Sequence, residues 1–240
     1  MQEIELKEIK KDYRSNEAYK SLRTNIEFSG EDNKVLVFTS CTPNEGKSTV
    51  TIALAHALAE AGKKVLFIDA DLRKSVLAGR HKVHGQLKGL SHFLSGQTEL
   101  GEVMYRVKDT NMVMIFAGVV PPNPAELLGG KRFESLLTSA RKAYDYVIID
   151  APPLGSVIDA AIIAKQSDAS VLVISANTVS HKFAKVVKEQ LEKSGCPILG
   201  VVLNKVDMGQ NKYYGKYYGK YYGTYGDYGH EKEGKAEEEA

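Results

Sequence analysis

The sequence predicts a doubly wound α/β fold, with a mostly parallel sheet, helices on both faces and a disordered C-terminal tail. Three observations predict it. Short β-branched runs are apolar almost without interruption, helical stretches alternate with them, and beyond about Met208 the composition collapses to a Gly/Lys/Tyr repeat. Continuous apolar runs are those of strands buried on both faces of a parallel sheet, and alternating β and α elements argue for helices covering both faces. A chain of 240 residues can bury one good core, so one α/β domain with appendages is expected.

The elements follow in order. Residues 1–33 are polar, but from Ser15 to Phe28 the residues Ala18, Leu22 and Ile26 recur at i, i+4 and i+8. That stripe predicts a helix packed on the body or on a neighbouring subunit. Residues 34–207 form the main domain. Its predicted strands are Val35–Thr39, Val65–Ile68, Val113–Phe116, Val147–Ile149, Val171–Ile174 and Ile198–Leu203. Helices are predicted over Ser48–Ala61, Arg132–Lys142 and Lys182–Lys193. In such a sheet the ligand site lies beyond the carboxyl ends of the strands. Residues 208–240 repeat Tyr, Gly and Lys with a period of four and then turn acidic. No core can be built from that composition, so disorder is expected.

Bulk properties exclude several classes. A formal net charge of +2 is too small to argue for a nucleic-acid or membrane partner. The first residues, MQEIELKEIKKDYRS, have no apolar core of a signal peptide. No run approaches the roughly 18 apolar residues of a spanning helix. A soluble, cytoplasmic protein is expected, reaching any membrane through a partner. Cys41 and Cys196 have neither C-x-x-C nor metal-ligand spacing, which suits a reducing compartment. His81, His84, His92 and His181 share no spacing and are expected at the surface, whereas Tyr13, Tyr19, Tyr105, Tyr144 and Tyr146 are expected to pack.

The strongest chemical signal is Cys41-Thr-Pro43-Asn44-Glu45-Gly46-Lys47-Ser48-Thr49, which follows a predicted strand and opens a predicted helix. That is the context of a phosphate-binding loop, and it makes the fold P-loop NTPase-like. Loop N–H groups and the helix N-terminus would face the phosphates. Lys47 can reach the β- and γ-phosphates, and the Ser48 hydroxyl suits Mg²⁺, which prefers hard oxygen donors. Cys41 stands where the usual first Gly would be. Two further strand ends carry acids, Asp69-Ala-Asp71-Leu-Arg73 and Asp150-Ala-Pro-Pro. A strand-tip Asp beside a P-loop is placed to hold Mg²⁺, and three such acids on one sheet edge predict an ATP·Mg²⁺ site. Arg73 could bridge to phosphate or pair with a carboxylate. Asn204, after the last strand, is a candidate contact to the base.

Hydrolysis and transfer share this machinery, so the acceptor decides between them. With Asp71 and Asp150 serving the metal, Asp69 is free to accept the proton of an attacking tyrosine, whose pKa is near 10. Here the chain resembles a family. Pro43-Asn-x-Gly-Lys-Ser-Thr49, Phe67-Ile-Asp69-x-Asp71-Leu-Arg73 and Ile148-Ile-Asp150-x-Pro-Pro resemble the Walker A, A′ and B motifs of bacterial tyrosine kinases. The tyrosine-rich tail and Gly118-Val-Val-Pro-Pro-Asn-Pro-Ala-Glu-Leu-Leu128 are similar to the Gram-positive kinases of capsule and exopolysaccharide synthesis.

The resemblance implies a role for Asp69 near the attacking hydroxyl and for Asp71 and Asp150 at Mg²⁺. It also implies a ring of subunits, such as an octamer, in which each tail reaches a neighbour's site. The ring motif E-x-x-R-x-x-R is matched by Glu17, Lys20 and Arg23, with Lys20 replacing the first Arg and losing its bidentate fork. The expected phosphoacceptors are Tyr213, Tyr214, Tyr217, Tyr218, Tyr221, Tyr222, Tyr225 and Tyr228. The expected partners are a transmembrane adaptor that activates the kinase at the inner membrane face and a phosphotyrosine phosphatase.

Two other readings stand beside this one. A ParA/MinD-type positioning ATPase shares the deviant P-loop, but its signature lysine is replaced here by Thr42. A Tyr/Gly/Lys tract could bind RNA by stacking; it lacks the usual Arg, and no nucleic-acid partner is expected.

Overall fold

A computed structural model describes residues 1–6, 13–81 and 87–207. The described residues up to Asn204 form one compact unit. The tail at 208–240, with the eight tyrosines expected as acceptors, lies outside the described residues, as does His84.

The compact unit is built on an eight-stranded sheet among the described residues. Its strands are β1 (Gln2–Ile4), β2 (Val35–Ser40), β3 (Val65–Asp69), β4 (Tyr105–Val107), β5 (Met112–Ile115), β6 (Tyr146–Asp150), β7 (Ala169–Ser175) and β8 (Ile198–Asn204). Their order is β1-β4-β5-β3-β6-β2-β7-β8, parallel throughout except where β4 meets β5. The six strands expected from sequence are present. β1 and β4, three residues each, are additions whose shortness leaves no readable period.

Side-chain alternation sends each strand into two cores. Leu36, Phe38, Phe67 and Ile148 pack against Ile52, Leu54 and Leu58 of α2 (Lys47–Glu60) on one face. Val35, Val37, Leu66, Ile68 and Ile149 pack on the other against α7 (Lys131–Ala143), α8 (Asp159–Ala164) and α9 (His181–Glu192), through Leu137, Ile163 and Leu191. Helix α2 is apolar on nearly every side because α1 (Tyr13–Glu27) covers it from outside. Short helices α3 (Leu77–Arg80), α4 (Leu90–Leu94), α5 (Leu100–Val103) and α6 (Pro124–Leu128) fill the crossovers.

Several expectations are corrected. The seam of α1 runs through Tyr19, Leu22 and Ile26, while Ala18 is exposed. Tyr13 does not pack; it starts α1 ahead of that seam and is 73% exposed. His81, the C-cap of α3, is buried rather than superficial. His92 is half-buried, its Nδ1 accepting from the Gly89 N–H at 3.0 Å, while His181 is exposed. β8 lies at the sheet edge and is not buried on both faces, so Val201 and Leu203 meet solvent.

Candidate functional site

Five strand ends converge on the loop between β2 and α2. The turn from Cys41 to Gly46 needs two left-handed residues, Asn44 (φ 65°) and Gly46 (φ 87°), and Gly46 is the N-cap of α2. Glycine adopts that geometry without a Cβ penalty, and it lets the first amides of a 14-residue helix face the crevice.

The loop is braced from behind by Glu45, which is 2% exposed. One carboxylate oxygen accepts from the Thr42 N–H at 2.7 Å and the Thr42 hydroxyl at 2.6 Å, and the other from the Ser175 N–H at 3.2 Å. The Asn204 side-chain amide donates to the Glu45 carbonyl at 2.9 Å. In this structure Ser175 and Asn204 thus hold the loop through Glu45 from the ends of β7 and β8. The segment after β6 closes the other side. Thr39 Oγ1 donates to the Pro152 carbonyl at 2.8 Å, and the Leu154 N–H donates to the Ser40 carbonyl at 2.9 Å.

The acids face this loop. Asp69 and Asp150 are register partners on adjacent strands and both are 1% exposed. Lys47 bonds Asp150 Oδ1 at 2.5 Å and Ser48 Oγ at 3.3 Å, all inside the crevice. Burial pushes the Asp69 carboxyl up to about 7, and the neighbouring Asp150 charge adds to the rise; the Ser75 hydroxyl, which donates to Asp69 Oδ2, and Lys47 oppose it. Asp71 is half-buried on the turn after β3, where its Oδ1 accepts from the Arg73 and Lys74 amides at 3.3 and 2.9 Å. Arg73 forks onto Asp159, Nε to Oδ2 at 2.7 Å and Nη2 to Oδ1 at 2.9 Å. Of its two possible roles, this structure displays the carboxylate pair.

The donor set fits the groups that the sequence implies. Ser48, Asp71 and Asp150 offer hard oxygens suited to Mg²⁺. No cluster of three or more His, Cys, Asp or Glu side chains could cage a metal among the described residues. That suits an ion that keeps waters and phosphate oxygens in its shell. Pro43, Asn44 and Thr49 stand exposed at the loop. Glu17, Lys20 and Arg23 lie apart from it. Glu17 and Lys20 pair at 2.7 Å, while Arg23 donates to the Ala57 carbonyl at 3.2 Å, ten residues or about 15 Å along α2 from Lys47.

Sequence reasoning missed Ser75, Asp159 and Gly155. A Cβ on Gly155 would stand 2.1 Å from the Cys41 carbonyl oxygen. Ser75 and Asp159 belong to no general motif; only burial and pairing reveal them. Among the described residues no helix is long and apolar enough to cross a membrane.

A family model described as an AAA domain matches residues 34–193. The chain is 42% identical over 216 residues to the tyrosine-protein kinase CpsD of Streptococcus agalactiae, covering 90% of this chain and 89% of that one. The kinase domain of the Escherichia coli tyrosine kinase ETK superposes with a TM-score of 0.74 at 35% identity, covering 80% of this chain and 78% of that one. The septum site-determining protein MinD of Pyrococcus horikoshii, solved with Mg-ADP, gives 0.62 at 26% identity and covers 75% of this chain and 72% of that one.

Proposed function

The chain belongs to the bacterial protein-tyrosine kinases, and from that premise we propose that it transfers the γ-phosphoryl group of ATP to the tyrosines of its own C-terminal tail. Its fold is that of P-loop nucleotide-binding proteins and it is a protein-tyrosine kinase. The observation that carries the reading is the pairing of Asp69 with Asp150 on adjacent strand ends, beside Lys47 and Ser48.

Lys47 exchanges its bond to Asp150 for the β- and γ-phosphates, while Ser48, Asp71 and Asp150 would hold Mg²⁺. That ion, when bound, neutralises phosphate charge as the transfer proceeds. Asp69 accepts the phenolic proton of the acceptor tyrosine; the tyrosine oxygen gains the phosphorus as the bond to ADP breaks. Pro43, Asn44, Gly46 and Thr49 line the phosphate side of the loop, and Asn204 lies on the base side.

The eight tyrosines from Tyr213 to Tyr228 are the acceptors, reached in trans within a ring in which Glu17, Lys20 and Arg23 contact the next subunit. The setting is capsule or exopolysaccharide polymerisation and export. There the kinase works at the inner membrane face, stimulated by a transmembrane adaptor and reset by a phosphatase. Against a MinD-type ATPase stands Thr42, whose N–H and hydroxyl are both committed to Glu45 and which brings no charge to a dimer partner.

Mass-spectrometric mapping of phosphotyrosine in the wild type, Lys47→Met and Asp69→Asn tests the proposal. Phosphate should occupy the tail in the wild type and be absent in both variants. Persistence in either variant would mean that another kinase supplies it.

A further inference from the structure

We infer that Asp159 is a positioning residue of this kinase, acting through Arg73 to clamp the turn that aims the Asp71 and Asp69 carboxylates. The inference rests on the proposed metal role of Asp71.

Asp159 is fully buried at the start of α8, and a carboxylate taken out of water is costly unless a cation with matching geometry meets it. Arg73 supplies both arms of that match, at 2.7 and 2.9 Å. The pair could serve only to fasten α8, but the main chain of Arg73 argues otherwise. Its own N–H and that of Lys74 hold Asp71 Oδ1, and two residues on Ser75 bonds Asp69 Oδ2. Four consecutive residues, Asp71 to Lys74, therefore contain one acid, its two backbone donors and the guanidinium anchored to Asp159.

The clamp also crosses the site. Asp150 ends β6, Asp159 begins α8 nine residues later, and Asp69 ends the adjacent strand β3. Fastening Arg73 to Asp159 thus fixes the turn after β3 against the segment after β6, the two sources of the acids. A planar fork sets direction as well as distance, which a lysine cannot do.

Partners of metal-holding groups typically contribute about 10–100-fold to metal affinity. With Asp159→Asn, Arg73 keeps its neighbour's shape but loses its charge, and the turn carrying Asp71 loosens. Titration of the full-length chain with N-methylanthraniloyl-ADP, once in EDTA and once in Mg²⁺, reads this directly. The affinity in EDTA should stay within about twofold of wild type, while the tightening by Mg²⁺ falls about tenfold or more. Arg73→Lys, which keeps the charge, should show the same loss, and Arg73→Gln combined with Asp159→Asn should be no worse than either alone. Thermal melts identify any variant that is not folded, and the Arg73 variants then carry the test.

Wild-type tightening by Mg²⁺ in folded Asp159→Asn or Arg73→Lys would overturn the clamp, as would a fall matched by an equal loss in EDTA. Asp71→Asn separates the two levels. If it leaves the tightening unchanged, the metal role of Asp71 is wrong and the clamp falls with it. If it abolishes the tightening while Asp159→Asn does not, only the clamp fails.

Discussion

A glutamate that is 2% exposed is costly to bury unless its oxygens are bonded, and Glu45 accepts three hydrogen bonds through its carboxylate. Single contacts of this kind set the loop's shape, and Gly155 is another. A Cβ there would meet the Cys41 carbonyl oxygen at 2.1 Å and Phe183 Cζ at 2.9 Å. The ring can turn aside, but the backbone cannot. Gly155→Ala should therefore cost about 1–3 kcal/mol and weaken nucleotide binding, read by urea unfolding and nucleotide titration; unchanged values in both would refute the contact. The two thiols invite a simpler test. Burial pushes both Cys41 and Cys196 up to about 11, so at pH 8 each stays protonated as well as covered. A disulfide reagent should find no reactive thiol in the native protein and two after denaturation. The motif residues Lys47, Asp69 and Asp150 are legible in the sequence, because a P-loop and strand-tip acids are local patterns. Asp159 is not, since an aspartate nine residues past a strand reads as any surface turn until its burial is known.

Among the elements, α1 separates a packed face from a solvated one. Ile26 is 4% exposed and belongs to the core shared with α2, so Ile26→Ala should cost about 2–5 kcal/mol. Among the described residues the Lys20 side chain makes an exposed i,i+3 pair with Glu17, so Lys20→Ala should change monomer stability by less than about 0.5 kcal/mol. Denaturant melts of the two variants would expose a mistaken face by comparable losses. The same contrast marks how far elements can be read. Six strands and three long helices lie within two residues of where the sequence predicts them, because a sheet buried on both faces makes its strands continuously apolar. The three-residue strands β1 and β4 escape because their pairing, parallel between them and antiparallel to β5, is decided by neighbours distant in sequence. The stripe through Ala18 is displaced to Tyr19 for a related reason. A short polar helix allows two seams, and the surface of α2 chooses one.

At the scale of the whole molecule, the tail's chemistry sets an electrostatic prediction. Each phosphotyrosine adds about −1.5 to −2 charges near neutrality, so eight would add about −12 to −16 to a chain whose formal net charge is +2. Repulsion among such tails should release subunits from the proposed ring, and the phosphorylated protein should elute later on sizing chromatography than the phosphatase-treated one. Identical elution volumes would count against that switch, and stronger salt should narrow any difference. Neighbours along the chain suffice to specify the chemistry: the phosphate loop, the acids that end β3 and β6, and the α/β alternation that brings them to one edge. The support of that chemistry comes from folding alone: Glu45 braced by Ser175 and Asn204, Gly155 against Cys41, and Asp159 forked onto Arg73. These contacts join residues far apart in the chain, and no period or motif encodes a distance of that kind. The Glu45 and Asp159 contacts exist because burial leaves a charged group no water to turn to, so the fold must supply its partner from elsewhere in the chain. The Gly155 contact exists because two backbone segments pack too closely for a Cβ.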